Sequence, residues 1–240
     1  MARAALVIAL VAALALSTSA SALTQPSSAN QCVFEGVWTP SGQWYNGPEL
    51  YCYCQNGKWI DCQQINKVVA TFDTPLLKGF IYATQGYDLT RNTWVADFSY
   101  FDQLNLCPSG EMNWHVHTYW SPEISGTSSL DQCGLDLTGN HYDPTFGCGP
   151  NSQFAGAGGL CETVRPYTNG VQTCDLPNDV STCEIGDLSA KVGRLYLVKK
   201  PQFWDDRFST NIELFRKQSV VLHCCSPKGC APRVACAQFL

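Results

Sequence analysis

Residues Met112 to Trp120 read MNWHVHTYW, a stretch that places two histidines two positions apart among apolar, hydroxyl-bearing and aromatic side chains. Such residue types favour a β-strand. Residues two apart in a strand lie on the same face, so His115 and His117 should project together while Trp114 and Val116 face a core. Two imidazoles side by side make half a metal site; the alternative is a strand with two half-exposed polar residues.

Seven other runs along the chain have a similar residue composition. They are short, rich in β-branched and aromatic residues, and separated by turn residues, which predicts an all-β antiparallel sandwich or barrel of about eight strands. The runs are VVATF (68–72), LKGFIYATQ (77–85), TWVADFSYF (93–101), RLYLVKK (194–200), NIELF (211–215), QSVVLH (218–223) and PRVACAQF (232–239).

One long interval interrupts this pattern. The residues from Asp143 to Cys183 are rich in Gly, Pro, Asn, Ser and Thr and include Cys148, Cys161 and Cys174. A connection of this length is uncommon in a compact domain and usually has a function. We expect a functional or disulfide-braced loop.

The chain begins with the features of a secretory signal peptide. Arg3 precedes an apolar run from Ala4 to Leu16, and small residues follow at Ala20 to Ala22. This predicts a signal peptide over residues 1–22 and a secreted, extracellular mature protein. No later stretch has the roughly 18 to 20 apolar residues that a membrane span needs.

The amino-acid composition limits the kinds of ligand and partner that the protein can bind. Fourteen cysteines, an even number in an exported chain, indicate disulfides rather than thiolate metal sites. The formal charge of −5, with 15% charged residues, provides no basic surface for nucleic acid or an anionic membrane. We therefore expect neither a nucleic acid nor a membrane as a partner.

Residues 23–64 form a small cysteine-rich module in this interpretation. Cys32, Cys52, Cys54 and Cys62 lie among Gly, Pro and aromatic residues, and a segment this short needs disulfides in place of a large core. The cysteine spacing resembles the first half of a von Willebrand factor type C module. Such modules imply a possible protein partner.

The chain has only two histidines besides His115 and His117. His141 lies in GNHYDP (139–144), and His223 lies in SVVLHCC (219–225). The His-x-His strand, the GNHYDP turn, IGDL (185–188) and VVLH followed by PRVAC (232–236) occur in the same order in the copper/zinc superoxide dismutase family. Residues 65–240 resemble that family.

The resemblance implies a Greek-key antiparallel β-barrel and a copper site. His115, His117 and His223 match the family's copper ligands, and His141 matches the histidine that bridges copper and zinc. Four imidazole nitrogens suit Cu(II). Arg233 matches the arginine that attracts the small anion beside copper, and Cys236 matches one half of a disulfide whose other half would be Cys133.

The zinc site of the family is incomplete here. No histidine occurs between His141 and His223; Gly149 and Glu184 stand where two zinc histidines are expected, and only Asp187 matches. The chain thus resembles the copper-only branch of the family, which implies that zinc is not held normally. We hypothesise that Asp187, and with it Glu184, hydrogen-bonds to His141 directly or through neighbouring groups and fixes its tautomer; the alternative is that both carboxylates satisfy a turn.

These features together predict an enzyme. The resemblance implies a secreted copper-dependent superoxide dismutase that converts superoxide to dioxygen and hydrogen peroxide, with His141 as a proton donor. The alternative is a non-catalytic secreted copper-binding or structural matrix protein on the same scaffold. In a third interpretation, the N-terminal module captures another protein and the barrel has no role of its own.

Overall fold

The computed structural model describes residues 31–34, 37–46, 50–64, 66–85, 91–165 and 173–240. Internal contacts divide the chain into two compact units, Met1–Ile65 and Asn66–Leu240. The predicted signal peptide lies outside the described residues. Among those that are described, no helix is both long enough and apolar enough to cross a membrane.

Short strands joined by disulfides make up the described part of the first unit. One hairpin consists of β1 (Gln31–Phe34) and β2 (Val37–Pro40), and a three-stranded sheet consists of β3 (Trp44–Asn46), β4 (Leu50–Gln55) and β5 (Lys58–Gln64). The Asn-Gly pair that joins β4 to β5 has positive φ at both residues, which suits a two-residue hairpin turn. All four cysteines are paired, as Cys32–Cys54 and Cys52–Cys62.

The second unit is mostly β and contains two antiparallel sheets. Their orders are β10-β14-β13-β9-β11 and β12-β8-β7-β6. The strands are β6 (Asn66–Asp73), β7 (Leu77–Gln85), β8 (Asn92–Phe101), β9 (Glu111–His117), β10 (Ser128–Ser129), β11 (Leu195–Tyr196), β12 (Gln202–Asp206), β13 (Ser219–Cys224) and β14 (Arg233–Gln238).

Helices in this unit are short and lie in the connections. In the described ranges of this unit the α-helices are α1 (Gln103–Leu106), α2 (Leu135–Thr138), α3 (Leu160–Val164) and α4 (Leu188–Val192), and the 3₁₀ turns span Val180–Thr182 and Ile212–Phe215.

Three segments of the second unit differ from the strands predicted from the sequence. NIELF is a 3₁₀ turn rather than a strand, because Ile212 and Phe215 are three apart and both face the core, and the Asn211 side chain caps the turn by accepting from the backbone N–H of Glu213. QFWDD, which was not predicted, forms β12 along the edge of β8. RLYLVKK contributes only the two-residue strand β11.

Side chains from both sheets share one hydrophobic core. Trp94 on β8 and Trp114 on β9 are fully buried, with ring centroids 5.7 Å apart and planes at 88°. This edge-to-face arrangement is favourable for aromatic pairs. Trp114 also contacts Trp204 of β12, with centroids 4.7 Å apart. The strands of both sheets thus turn one face inward.

The hydrogen-bonded ladders do not close the two sheets into a barrel. Among the described residues, an isolated bridge joins Ala70 of β6 to Phe239, just beyond β14. Beside that bridge, Val69 and Leu240 exchange both backbone hydrogen bonds, at 3.1 and 3.0 Å. These contacts bring one edge of each sheet together at the C-terminal residues.

Five disulfides brace the second unit. The Cys133–Cys236 bond implied by the family resemblance is present. Cys148–Cys161 and Cys174–Cys183 lie within the long interval from Asp143 to Cys183, so the prediction of a disulfide-braced loop is confirmed. The remaining two are Cys107–Cys224 and Cys225–Cys230. Seven disulfides in all indicate an oxidising compartment.

Candidate metal centre

β9 presents its two histidines on the face opposite the hydrophobic core. Trp114 and Val116 have no exposed surface and lie in the core, as the alternation of residues predicts, whereas His115 and His117 project from the other face. That face is also buried, because His115 is 7% exposed and His117 is fully covered. The histidines are therefore not ordinary half-exposed polar residues.

β13 supplies a third histidine from the neighbouring strand. Val221 pairs with His115, and His223 pairs with Asn113, so His223 lies two residues from Val221 on the same face of the sheet. The ring centroid of His223 is 4.8 Å from that of His115.

The fourth histidine comes from the loop that runs along β9 on the side opposite β13, beyond the two residues that β11 covers. His141 bridges His117, and Tyr142 donates its backbone N–H to the carbonyl of Val116. Gly186 lies against the same edge, and a Cβ there would come within 2.4 Å of the Val116 carbonyl. Only glycine permits this approach.

All four rings meet at one place. The centroid of His141 lies 4.1 Å from that of His115 and 5.1 Å from that of His117, and the His117 and His223 centroids are 5.9 Å apart. Ligand atoms of His115, His117 and His223 lie within 4.8 Å of one another. The spacing suits one metal ion.

Three buried ring nitrogens in this group have no hydrogen-bond partner among the described residues. They are Nδ1 of His115, Nε2 of His117 and Nε2 of His223. A buried polar atom without a partner is costly and rare in a folded protein, so each one needs an explanation. A metal bound by the three lone pairs provides that explanation, and imidazole nitrogens are ligands that copper accepts.

The opposite nitrogens of the rings are held by acceptors. Nδ1–H of His117 donates to the carbonyl of Gly139 at 2.8 Å, and Nδ1–H of His223 donates to the carbonyl of Ala231 at 3.2 Å. A carbonyl oxygen can only accept, so both rings carry their proton on Nδ1. The lone pair on Nε2 is consequently directed away from these carbonyls, toward the centre.

Burial keeps the imidazoles of His115, His117 and His223 neutral at neutral pH. Desolvation lowers the pKa of His115 and of His117 well below the ordinary value, and the neighbouring His141 lowers both further. Desolvation also lowers the pKa of His223, to about 4. Neutral imidazole is the form that binds metal.

The two carboxylates predicted to orient His141 act on different rings. Glu184 is buried, and its Oε2 bonds Nδ1 of His141. Asp187 Oδ1 lies 3.5 Å from Nε2 of His115 and also caps α4 by accepting from the backbone N–H of Ala190. The described contact of Asp187 is thus with His115, and Glu184 is the partner of His141.

Gly149 has a steric role in this arrangement. A Cβ at position 149 would lie 2.2 Å from Oε1 of Glu184. The Glu184 side chain thus fills the space that a side chain at 149 would need. Where two zinc histidines were expected, the chain has one carboxylate and one glycine that makes room for it.

Arg233 lies beside the histidines in an open cavity of about 710 Å³. Its Nη1 donates to the Cys133 carbonyl at 3.0 Å and to Oγ1 of Thr138 at 2.8 Å, and its Nη2 donates to the Gly139 carbonyl at 3.2 Å. Burial lowers the pKa of Arg233 and the nearby Asp136 opposes that shift, but a guanidinium stays charged. The site therefore holds a fixed positive charge.

Several residues that line this cavity were not predicted. Asn113 follows the same two-residue alternation as His115 and His117, so the strand pattern could have identified it. No sequence motif marks the others as neighbours of the histidines. They include Asn140, Asn151, Ser189 and Arg194.

A second group of potential ligands is already engaged. Asp143, Cys148 and Cys161 lie close together, but the two cysteines form a disulfide. Asp143 accepts from the backbone N–H groups of Gly147 and Cys148, each at 2.8 Å, and from Oγ of Ser152 at 2.7 Å. This buried carboxylate is thus engaged in organising the loop.

Neither a scan against protein-family models nor a search of curated proteins finds a match to this chain.

Proposed function

We propose that the chain is a copper-dependent superoxide dismutase without a normal zinc site. The observation that carries the proposal is the set of three buried, unpartnered imidazole nitrogens of His115, His117 and His223, beside His141. Without a metal, burying three unpartnered lone pairs together would cost free energy that nothing offsets. Arg233 in the same cavity favours a small anion as the substrate.

Copper, when bound, would supply one-electron chemistry, taking an electron from one superoxide and giving one to a second. The residues of this chain bind and orient the reactants. The Arg233 guanidinium attracts the anion, and its three acceptors hold it in one orientation. The fixed geometry means that little reorganisation is needed when the anion arrives.

His141 is the proposed proton carrier. Glu184 holds Nδ1 of His141, so Nε2 is the nitrogen that faces the cavity. An imidazole in this position can release a proton from Nε2 to the nascent peroxide and take one up again. The Glu184 carboxylate stabilises the protonated ring of His141 before superoxide binds.

The zinc position supports the copper-only interpretation. His141, Glu184 and Asp187 lie close enough to share an ion, but Nδ1 of His141 is already bonded to Glu184. Zinc would have to displace this hydrogen bond and would find one imidazole where the family has three. We therefore propose that Glu184 replaces the zinc ion as the group that orients His141.

The proposed function also implies a particular set of strand connections and secretion from the cell. Strand β9 pairs with β13, far along the chain, rather than with a strand that is adjacent in sequence, and a long connection of this kind is one part of a Greek key. We propose that the two sheets correspond to the two halves of the resembled family's Greek-key β-barrel, with the ladder between them left open here. We further propose that the protein is secreted; a protein partner for the N-terminal unit stays a prediction.

Superoxide decay followed by pulse radiolysis tests the function directly. Mature protein loaded with copper alone should approach the roughly 10⁸ to 10⁹ M⁻¹s⁻¹ diffusion limit, a limit for which superoxide dismutase is itself a standard example. The His117→Ala variant, which loses a ligand, is the control and should lose the rate. If the wild type is no faster than this variant, the chain is a copper-binding scaffold and not a dismutase.

A further inference from the structure

The connection between β13 and β14 forms one wall of the metal cavity. Cys230 and Ala231 line the cavity together with His223. Residues 226–229 are exposed, and hydrogen bonds between Ser226 and Gly229 close this turn on itself. The part of the connection that faces the histidines is therefore its second half, immediately before β14.

The ladder between β13 and β14 does not by itself fix this wall. Their pairing shifts between Leu222 and His223, so that His223 pairs with Arg233 across an extra residue. Beyond the shift, the backbone N–H of Cys224 bonds the carbonyl of Pro232 at 2.9 Å. A bulge of this kind re-aims a side chain but leaves one residue unpaired. The pairing thus ends at Pro232, and Ala231 lies just beyond it.

The Cys225–Cys230 disulfide adds a constraint beyond this pairing. Cys225 is firmly held, since its N–H donates to the Glu111 carbonyl at 2.9 Å and its carbonyl accepts from Oγ of Ser109 at 2.7 Å. Its neighbour Cys224 is bonded to Cys107. The disulfide therefore ties Cys230, and with it Ala231, to a residue that adjoins the end of β13 and is hydrogen-bonded to the start of β9.

We propose that the Cys225–Cys230 disulfide is a positioning element of the metal site. It holds the Ala231 carbonyl against Nδ1–H of His223, which fixes the tautomer of that ring and keeps its Nε2 directed at the other imidazoles. This inference deepens the proposed function, on which its copper readout rests, but the ring geometry itself exists without metal. Outer partners of ligand histidines commonly change metal affinity by about 10- to 100-fold.

The test is the tautomer of His223 in metal-free protein, measured by two-bond ¹H–¹⁵N correlation of the imidazole rings. The double variant Cys225→Ser/Cys230→Ser should shift His223 toward a mixture of tautomers. His117, whose Nδ1–H bonds Gly139, should be unchanged and is an internal control. Cys52→Ser/Cys62→Ser, which opens a disulfide of the other unit, should change neither ring.

Copper affinity provides the second readout. The Cys225→Ser/Cys230→Ser variant should bind Cu(II) at least tenfold more weakly, with an altered electron paramagnetic resonance spectrum. A second variant with one glycine inserted between Cys230 and Ala231 keeps the disulfide and separates it from the carbonyl. It should reproduce the ring change even if the double variant does not fold.

The outcomes separate the two proposals. If His223 keeps its proton on Nδ1 in either folded variant, the disulfide only stabilises the fold and the positioning role is wrong. If the ring changes as expected while wild-type protein shows no superoxide turnover, the positioning role stands and the proposed enzymatic function fails.

Discussion

Glu184 is the residue that most distinguishes this site from a surface cluster of histidines. It is 3% exposed, and one carboxylate oxygen bonds His141 while the other, Oε1, has no hydrogen-bond partner among the described residues. Burying a carboxylate is costly unless it is paired. The cost is reasonable if Glu184 holds an imidazole that becomes positively charged during the reaction.

The substitution Glu184→Gln tests this role with little change in volume. The amide oxygen can still accept from Nδ1–H, but the negative charge is lost, so superoxide turnover or copper affinity should fall by about 10- to 100-fold. Pulse radiolysis and a competitive copper titration measure the two quantities. Glu162→Gln, at an exposed carboxylate of the same loop, should leave both unchanged. Wild-type values in the Glu184→Gln protein would show that the charge is not needed.

Among the larger elements, the Cys133–Cys236 disulfide connects β14 to the segment that precedes α2. This segment and α2 itself provide acceptors to Arg233, namely the Cys133 carbonyl and Thr138 Oγ1. The bond spans 103 residues, whereas Cys174–Cys183 spans only 9. The contribution of a disulfide grows with the length of the loop that it closes in the unfolded chain.

This difference predicts unequal losses of stability. Cys133→Ser/Cys236→Ser should lower the free energy of unfolding by about 4 to 5 kcal/mol, and Cys174→Ser/Cys183→Ser by about 2.5 kcal/mol, in the chain-entropy model. Urea unfolding of the metal-free proteins measures both. Equal losses would mean that local contacts of the cysteines, rather than the entropy of the unfolded chain, determine the effect.

Alternation along a strand made β9 predictable, but contacts between distant elements were not. His115 and His117 share a face because of the strand period, which is a local property. The bond between His141 and Glu184 joins residues 43 positions apart, and the Ala231 carbonyl that holds His223 is a backbone atom with no sequence signature. The family resemblance implies that the four histidines are ligands, and only the fold shows which acceptor holds each ring.

The errors in the strand prediction have a similar origin. NIELF contains β-branched and aromatic residues, yet its two core residues are three apart and the preceding Asn211 can cap a turn. QFWDD ends in two acidic residues, which disfavour a strand locally. There Asp206 is buried and pairs with Lys191 of α4 at 2.7 Å. A partner from another element thus offsets an unfavourable local propensity.

For the molecule as a whole, the buried imidazoles should make stability depend on pH. The pKa of His223 is about 4 in the folded protein, against an ordinary value of 6.5, and those of His115 and His117 are also lowered. Between these pH values the unfolded chain binds more protons, so stability rises with pH. It should be complete above about pH 6.5 and be lost as the pH falls toward 4 and below.

Urea midpoints of the metal-free protein between pH 4 and 7 measure this dependence. His223 alone should contribute on the order of 3 kcal/mol. The His223→Gln variant, which cannot titrate at this position, should show a shallower decline than the wild type. A pH profile that is the same for both proteins would exclude a buried neutral imidazole at position 223.

The complete pairing of the cysteines also affects how well the protein resists oxidation by the product of the proposed reaction. The proposed reaction releases hydrogen peroxide, which attacks thiolates first and methionine sulfur next. All fourteen cysteines are in disulfides. Beyond the initiator, the chain has one methionine, Met112, and it has no exposed surface. The described part of the chain therefore exposes no sulfur in an easily oxidised form to the peroxide that the proposed reaction releases, which favours a long active lifetime without repair.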